Sequence, residues 1–116
     1  MIADPKPASS IDFTEKEHRT AQIAKALAHP ARIAILKILA KRNSCVCGEL
    51  VEVMPLAQAT VSQHLKELKN AGLIQGTISG PKVCYCLNPQ GIAELRQIFD
   101  TLLQEIEVPP IDSSCC

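Results

Sequence analysis

The sequence has no tryptophan, one tyrosine (Tyr85) and two phenylalanines (Phe13 and Phe99). Proteins that grip single strands by stacking bases on an aromatic platform need more rings than this, so that mode of nucleic-acid binding is not supported. No apolar run approaches the roughly 18–20 residues that span a bilayer, so no membrane partner is expected. The opening "MIADPKPASS" lacks a basic region followed by an apolar core. No secretory signal is expected there, and the chain is assigned to the cytoplasm. Net charge is missing too, with 12 Lys and Arg against 12 Asp and Glu. The balance hides an asymmetry. Arg19, Lys25, Arg32, Lys37, Lys41 and Arg42 follow one another with no acid between them, whereas Glu94, Asp100, Glu105, Glu107 and Asp112 surround Arg96 alone. Phosphates meet local potential rather than the sum, so a neutral protein with one basic face can bind DNA; on charge alone, two solvated faces of opposite sign is the favoured reading.

What is present is a chain of 116 residues, 47% hydrophobic, which fits one domain. It also has six cysteines in three close pairs: Cys45 and Cys47, Cys84 and Cys86, Cys115 and Cys116. In a reducing compartment disulfides are rare, and clustered thiols point to metal or redox chemistry.

Residues 1–11 are rich in Pro, Ala and Ser and are expected to be flexible. A helix is predicted from near Asp12 or Thr14, with Thr14 and Glu17 as a capping box and Ile23, Ala24, Leu27 and Ala28 on one face. "HP" at 29–30 interrupts it, and Pro30 suits the first position of a second helix ending near Lys41 or Arg42. Ile33, Leu36, Ile38 and Leu39 are its expected apolar stripe. "GELVEVM" predicts a short third helix. A fourth lies within "PLAQATVSQHLKELKNAGL", with Val61, Leu65 and Leu68 facing the core and Gly72 as its stop. "LIQGTI" and "KVCYCLN" around "SGP" predict a β-hairpin. The last helix, in "NPQGIAELRQIFDTLLQEIE", is apolar at Ile92, Leu95, Ile98, Phe99, Leu102, Leu103 and Ile106, wider than one stripe against a small core requires; a partner is implied. The order makes a mainly α fold with a small β-hairpin, a winged helix-turn-helix over residues 12–107, followed by a flexible Cys-ended tail over 108–116.

The stretches "LAHPARIAILKIL", "ATVSQHLKELKNAGLI" and "GPKVCYCL" together resemble the second helix, recognition helix and second wing strand of the arsenic-repressor (ArsR/SmtB) family of metal-sensing transcription repressors, over about Ala21 to Leu87. The resemblance implies a homodimer built on the first and last helices and bound to double-stranded operator DNA. Gln58, Thr60, Ser62, Gln63 and Lys66 lie on the recognition helix away from Val61, Leu65 and Leu68; amides and hydroxyls there suit base edges and Lys66 suits phosphate. Lys82 is the expected wing contact. His64 precedes an inward Leu and reads as structural or backbone-contacting. The family usually has Ser where this chain has Ala57, so a preferred N-cap is missing. A dimer would read a palindromic site with half-sites about one turn apart.

On an α-helix, side chains two apart point about 200° away from each other; in an extended segment they share a face. Cys45 and Cys47 cooperate only if "CVC" is extended. In this fold that segment typically pairs with the second wing strand, here "VCYCL". Val46, Val83, Tyr85 and Leu87 would then face the core, leaving Cys45, Cys47, Cys84 and Cys86 together on the other side. These four are the expected thiolate ligands of a soft centre: As(III) or Sb(III), or else Cd(II) or Zn(II). The family's arsenite sensors carry "CVC" here, and many have a third Cys three residues on; this chain has Leu50 there. The missing thiol is assigned first to Cys84 or Cys86 and second to Cys115 and Cys116. The family's other site, on the last helix, needs His, and residues 88–107 have none. The function implied is a repressor that releases operator DNA when trivalent arsenic or antimony binds thiolates. The alternatives are a thiol-redox or persulfide sensor, or a Cd or Zn sensor, of the same fold. No catalytic CxxC calls for an enzyme.

Overall fold

The computed structural model describes residues 12–42, 45–47, 53–79 and 82–109. Helix α1, Glu15–Ala26, opens with the predicted capping box. Thr14 Oγ1 accepts from the Glu17 amide at 3.1 Å, and Glu17 Oε1 accepts from the Thr14 amide at 2.9 Å. Two of the helix's otherwise unpaired amides are thereby satisfied. Ile23 and Ala26 are its buried residues, whereas Ala24 and Ala28 are exposed.

Helix α2, Pro30–Lys41, starts at His29, whose ring Nδ1 accepts from the Ala31 amide at 3.0 Å. Its buried residues are Ala31, Ile35 and Leu39. Of the expected stripe only Leu39 is fully buried: Leu36 and Ile38 are half-buried and Ile33 is exposed. The sequence "PARIAILKILAK" is apolar nearly all round, so periodicity does not select the inward face; packing against the next helix and the sheet does.

Helix α3, Gln58–Asn70, is the predicted recognition helix. Val61, His64, Leu65 and Leu68 are buried, and Ala57 caps it with no side-chain hydrogen bond. Gly72, just past its end, has φ +82°, a left-handed conformation that glycine adopts without steric cost. Of the short helix expected over "GELVEVM", residues 48–52 lie outside the described residues; Val53 is helical and exposed, and Met54 is buried.

Three antiparallel strands follow the order β1-β3-β2. They are β1 (Val46–Cys47), β2 (Ile74–Ser79) and β3 (Lys82–Leu87). Val46 opposes Tyr85 and Cys47 opposes Cys84. Val46 is buried as expected and Tyr85 and Leu87 are half-buried against the core. Val83, expected inside, is 43% exposed, and Cys84, expected outside, is only 6% exposed. A position flanked on both sides is covered more than one near a strand's end: Cys84 has Cys47 on one side and Thr77 on the other, whereas Val83, second in β3, pairs with Ile78 alone among the described residues.

Helix α4, Pro89–Glu105, starts at Asn88, whose side chain accepts from the Gln90 amide at 3.2 Å. Gly91 is its buried residue, and Ile92 and Leu95 rest on the core. Farther along, Ile98, Phe99 and Leu102 are half-buried, and Leu103 and Ile106 are exposed. The helix runs beside α1, where Lys16 pairs with Glu105 at 3.3 Å. Among the described residues no helix is long and apolar enough to cross a membrane. The expected flexible segment 1–11 and most of the tail, with Cys115 and Cys116, lie outside the described residues.

Candidate thiol site and nucleic-acid interface

The thiol site rests on strand geometry. "CVC" is extended through Val46 and Cys47, the backbone geometry in which positions two apart share a face. The antiparallel ladder sets Cys47 opposite Cys84. One step outward, Cys45 and Cys86 are joined by a disulfide, with Cα atoms 4.4 Å apart and 41 residues between them in sequence. The Cys84 sulfur is likewise disulfide-bonded. Of the four cysteines expected to act together, Cys47 lies in β1, Cys84 and Cys86 lie in β3, and Cys45 directly precedes β1; Cys45 is exposed, Cys86 half-buried and Cys84 buried. The side chain of Cys47 is outside the described part. Among the described residues no group of three or more His, Cys, Asp or Glu side chains is arranged to hold a metal ion.

A surface cavity of about 350 Å³ gives access to this corner; Leu39, Ala40, Arg42, Cys45, Cys86, Leu87 and Pro89 line it. The disulfide therefore sits where the end of α2, the strand before the helix-turn-helix and the start of α4 meet. As regards fit, opposed side chains on antiparallel strands have Cβ atoms about 4.5–5.5 Å apart. Two sulfurs bound at about 2.3 Å to one tetrahedral ion sit roughly 3.8 Å from each other. Cys45 and Cys86, with Cα atoms 4.4 Å apart, are close enough to supply two such donors when reduced.

Gln58, Thr60, Ser62, Gln63 and Lys66 of α3 are all exposed; Thr60, Ser62, Gln63 and Lys66 lie away from its buried stripe, and Gln58 sits in the first turn above Val61 and Leu65. Lys82 opens β3, and its side chain is outside the described part. The inner face is held by a cluster that the sequence did not reveal. Arg32 Nε donates to His64 Nδ1 at 3.1 Å, and Arg32 Nη1 donates to the carbonyls of Lys25 and Ala26 at 3.1 and 3.3 Å. One guanidinium thus ties the end of α1, the start of α2 and the middle of α3 together. The His29 and His64 rings lie 4.3 Å apart. Burial, then the neighbouring His29 and Arg32 charges, hold the His64 imidazole below its usual pKa. A neutral ring is what an acceptor at Nδ1 requires. His64 is therefore structural in this fold. In sequence, Arg32 looked like one more basic residue, because the distance from 32 to 64 along the chain conceals the contact.

A second set of contacts fastens the far end of α3. Arg19 donates to Glu94 through Nε and Nη2 at 3.0 and 2.7 Å, and Nη2 also donates to the Ala71 carbonyl at 2.9 Å. Asn88 donates through Nδ2 to the Gly72 carbonyl and through its amide to the Leu73 carbonyl, both at 3.0 Å. The hydrogen bond from Arg19 holds the Glu94 carboxyl below its usual pKa and raises that of Arg19.

The family described as "Bacterial regulatory protein, arsR family" matches residues 29–75, which run from the α2 cap through α3 into β2. The chain is 35% identical over 89 residues to an uncharacterized HTH-type transcriptional regulator of Methanocaldococcus jannaschii, covering 76% of this chain and 99% of that protein. It is 43% identical over 74 residues to the HTH-type transcriptional repressor SmtB of Mycobacterium tuberculosis, covering 64% of this chain and 54% of that one. A crystal structure described as a possible transcriptional regulator for arsenical resistance superposes with a TM-score of 0.61 at 33% identity, covering 68% of this chain and 81% of that one. These relatives are transcriptional regulators rather than enzymes. With the helix-turn-helix, the hairpin wing and these likenesses together, the chain belongs to the ArsR family of winged helix-turn-helix transcriptional regulators.

Proposed function

We propose that the protein is a homodimeric repressor that binds operator DNA through Gln58, Thr60, Ser62, Gln63, Lys66 and Lys82, and releases it when a thiophilic ion binds Cys45, Cys47, Cys84 and Cys86. The observation that carries this reading is the pairing of β1 with β3, which puts both CxC arms in one register. An all-sulfur donor set suits trivalent arsenic or antimony first, and Cd(II) or Zn(II) next. Residues 88–107 offer no His to a nitrogen and oxygen site. The site joins the strand leading into the helix-turn-helix to the second wing strand. An ion that draws these sulfurs to its own geometry shifts both DNA-facing parts at once, and only a difference in affinity between the two conformations moves the equilibrium. The half-exposed apolar face of α4, with Leu103 and Ile106 uncovered, supports the dimer.

The Cys45–Cys86 bond favours a second reading, a thiol-redox sensor. Its formation removes two protons and two electrons from the pair, and a peroxide that takes them is reduced to water. The two readings exclude each other's chemistry, since a bonded sulfur is not a thiolate ligand. Titrating arsenite, antimonite or Cd(II) against the reduced protein on a labelled operator duplex separates them. Release by the metalloid, lost in Cys45→Ser and in Cys84→Ser, supports the first. Release by peroxide with none by arsenite or Cd(II) supports the second.

A further inference from the structure

The end of the recognition helix is held by hydrogen bonds from two other helices. Three consecutive carbonyls, those of Ala71, Gly72 and Leu73, accept hydrogen bonds from the α1 and α4 layer: from Arg19 Nη2, Asn88 Nδ2 and the Asn88 amide. The same guanidinium is forked onto Glu94 of α4, so α1, α3 and α4 meet at one planar group. Backbone approach is close enough that a Cβ on Gly91 would lie 1.9 Å from the Gly72 oxygen.

A helix of 13 residues is about 20 Å long, and its DNA-facing N-terminal turn lies at the end opposite this joint. A swing of about 10° at the joint would carry that turn roughly 3 Å, close to the 3.4 Å rise of one base pair. We infer that Arg19, Asn88 and Glu94, with Gly91 permitting the approach, are positioning residues that fix the angle of α3 on the α1/α4 layer and thereby set the half-site spacing the dimer accepts. This rests on the dimeric DNA-binding reading above. Lys at position 19 cannot replace the fork, because one ammonium does not span a carboxylate and a carbonyl in a fixed plane.

The test uses duplexes selected from a randomised library by the wild-type protein, rebuilt with one or two base pairs added or removed at the centre. The readout is the ratio of affinities for the selected and the one-pair-longer duplex. Taken within one protein, this ratio is independent of the folded fraction, so a partly unfolded variant still reports. Arg19→Lys and Glu94→Gln are expected to lower the ratio by roughly tenfold, because specificity is a difference of affinities that a freely swinging helix no longer enforces. Equal weakening at every spacing, or an unchanged ratio, overturns the inference and leaves the joint as a stability element. If the wild type selects no two-fold symmetric duplex, the dimeric reading fails, and this inference with it.

Discussion

At the scale of single residues, the inner face of α3 depends on a histidine that must stay neutral. His64 accepts from Arg32, and a proton on Nδ1 would replace that bond with a repulsion between two cations. Its folded pKa is depressed, so below its unfolded value of about 6.5 the unfolded chain binds more protons than the folded one. Stability is therefore complete above that pH and falls as the pH drops through the window down to the folded pKa. Denaturant titrations between pH 7.5 and pH 5 should show this fall, and His64→Gln should flatten it. Truncation by Arg32→Ala, which takes the donor from the His64 ring and from the Ala26 carbonyl, should cost about 1–3 kcal/mol at neutral pH in the same measurement. The sequence made His64 legible as structural because an inward Leu follows it. Arg32 was not legible, because its three partners lie on other elements.

At the scale of elements, α3 begins at an alanine with nothing to bond its first amides. Ala57→Ser should raise stability by about 1 kcal/mol, seen as a higher denaturation midpoint with an unchanged slope. Leu68 is fully buried, and Leu68→Ala should cost about 2–5 kcal/mol. Element type was readable here from capping residues, a stop glycine and an i, i+4, i+7 stripe. Facing was less so. In α2 too many positions are apolar for periodicity to single out Ala31, Ile35 and Leu39. In β3 the alternation itself holds, but Cys84, flanked by strands on both sides, is buried, and Val83, near the strand's end, is exposed.

At the scale of the whole molecule, the outer surface of α4 exposes Leu103 and Ile106 beside the half-buried Phe99 and Leu102. Burying a large apolar side chain contributes about 1.5–3 kcal/mol, so a second copy covering this face removes a standing cost. The double variant Leu103→Glu/Ile106→Glu should sediment as a monomer and lose tight operator binding while keeping the helical circular dichroism of the wild type. A dimer that persists in this variant would move the interface elsewhere. The sequence by itself determined the spacing within each CxC arm, and with it the fact that two sulfurs two residues apart share a face once the chain is extended. Only the tertiary structure decided that the arms meet. A ladder of backbone hydrogen bonds between β1 and β3 sets Cys47 opposite Cys84 and brings Cys45 to Cys86 across 41 residues, and no local pattern in either segment encodes that register.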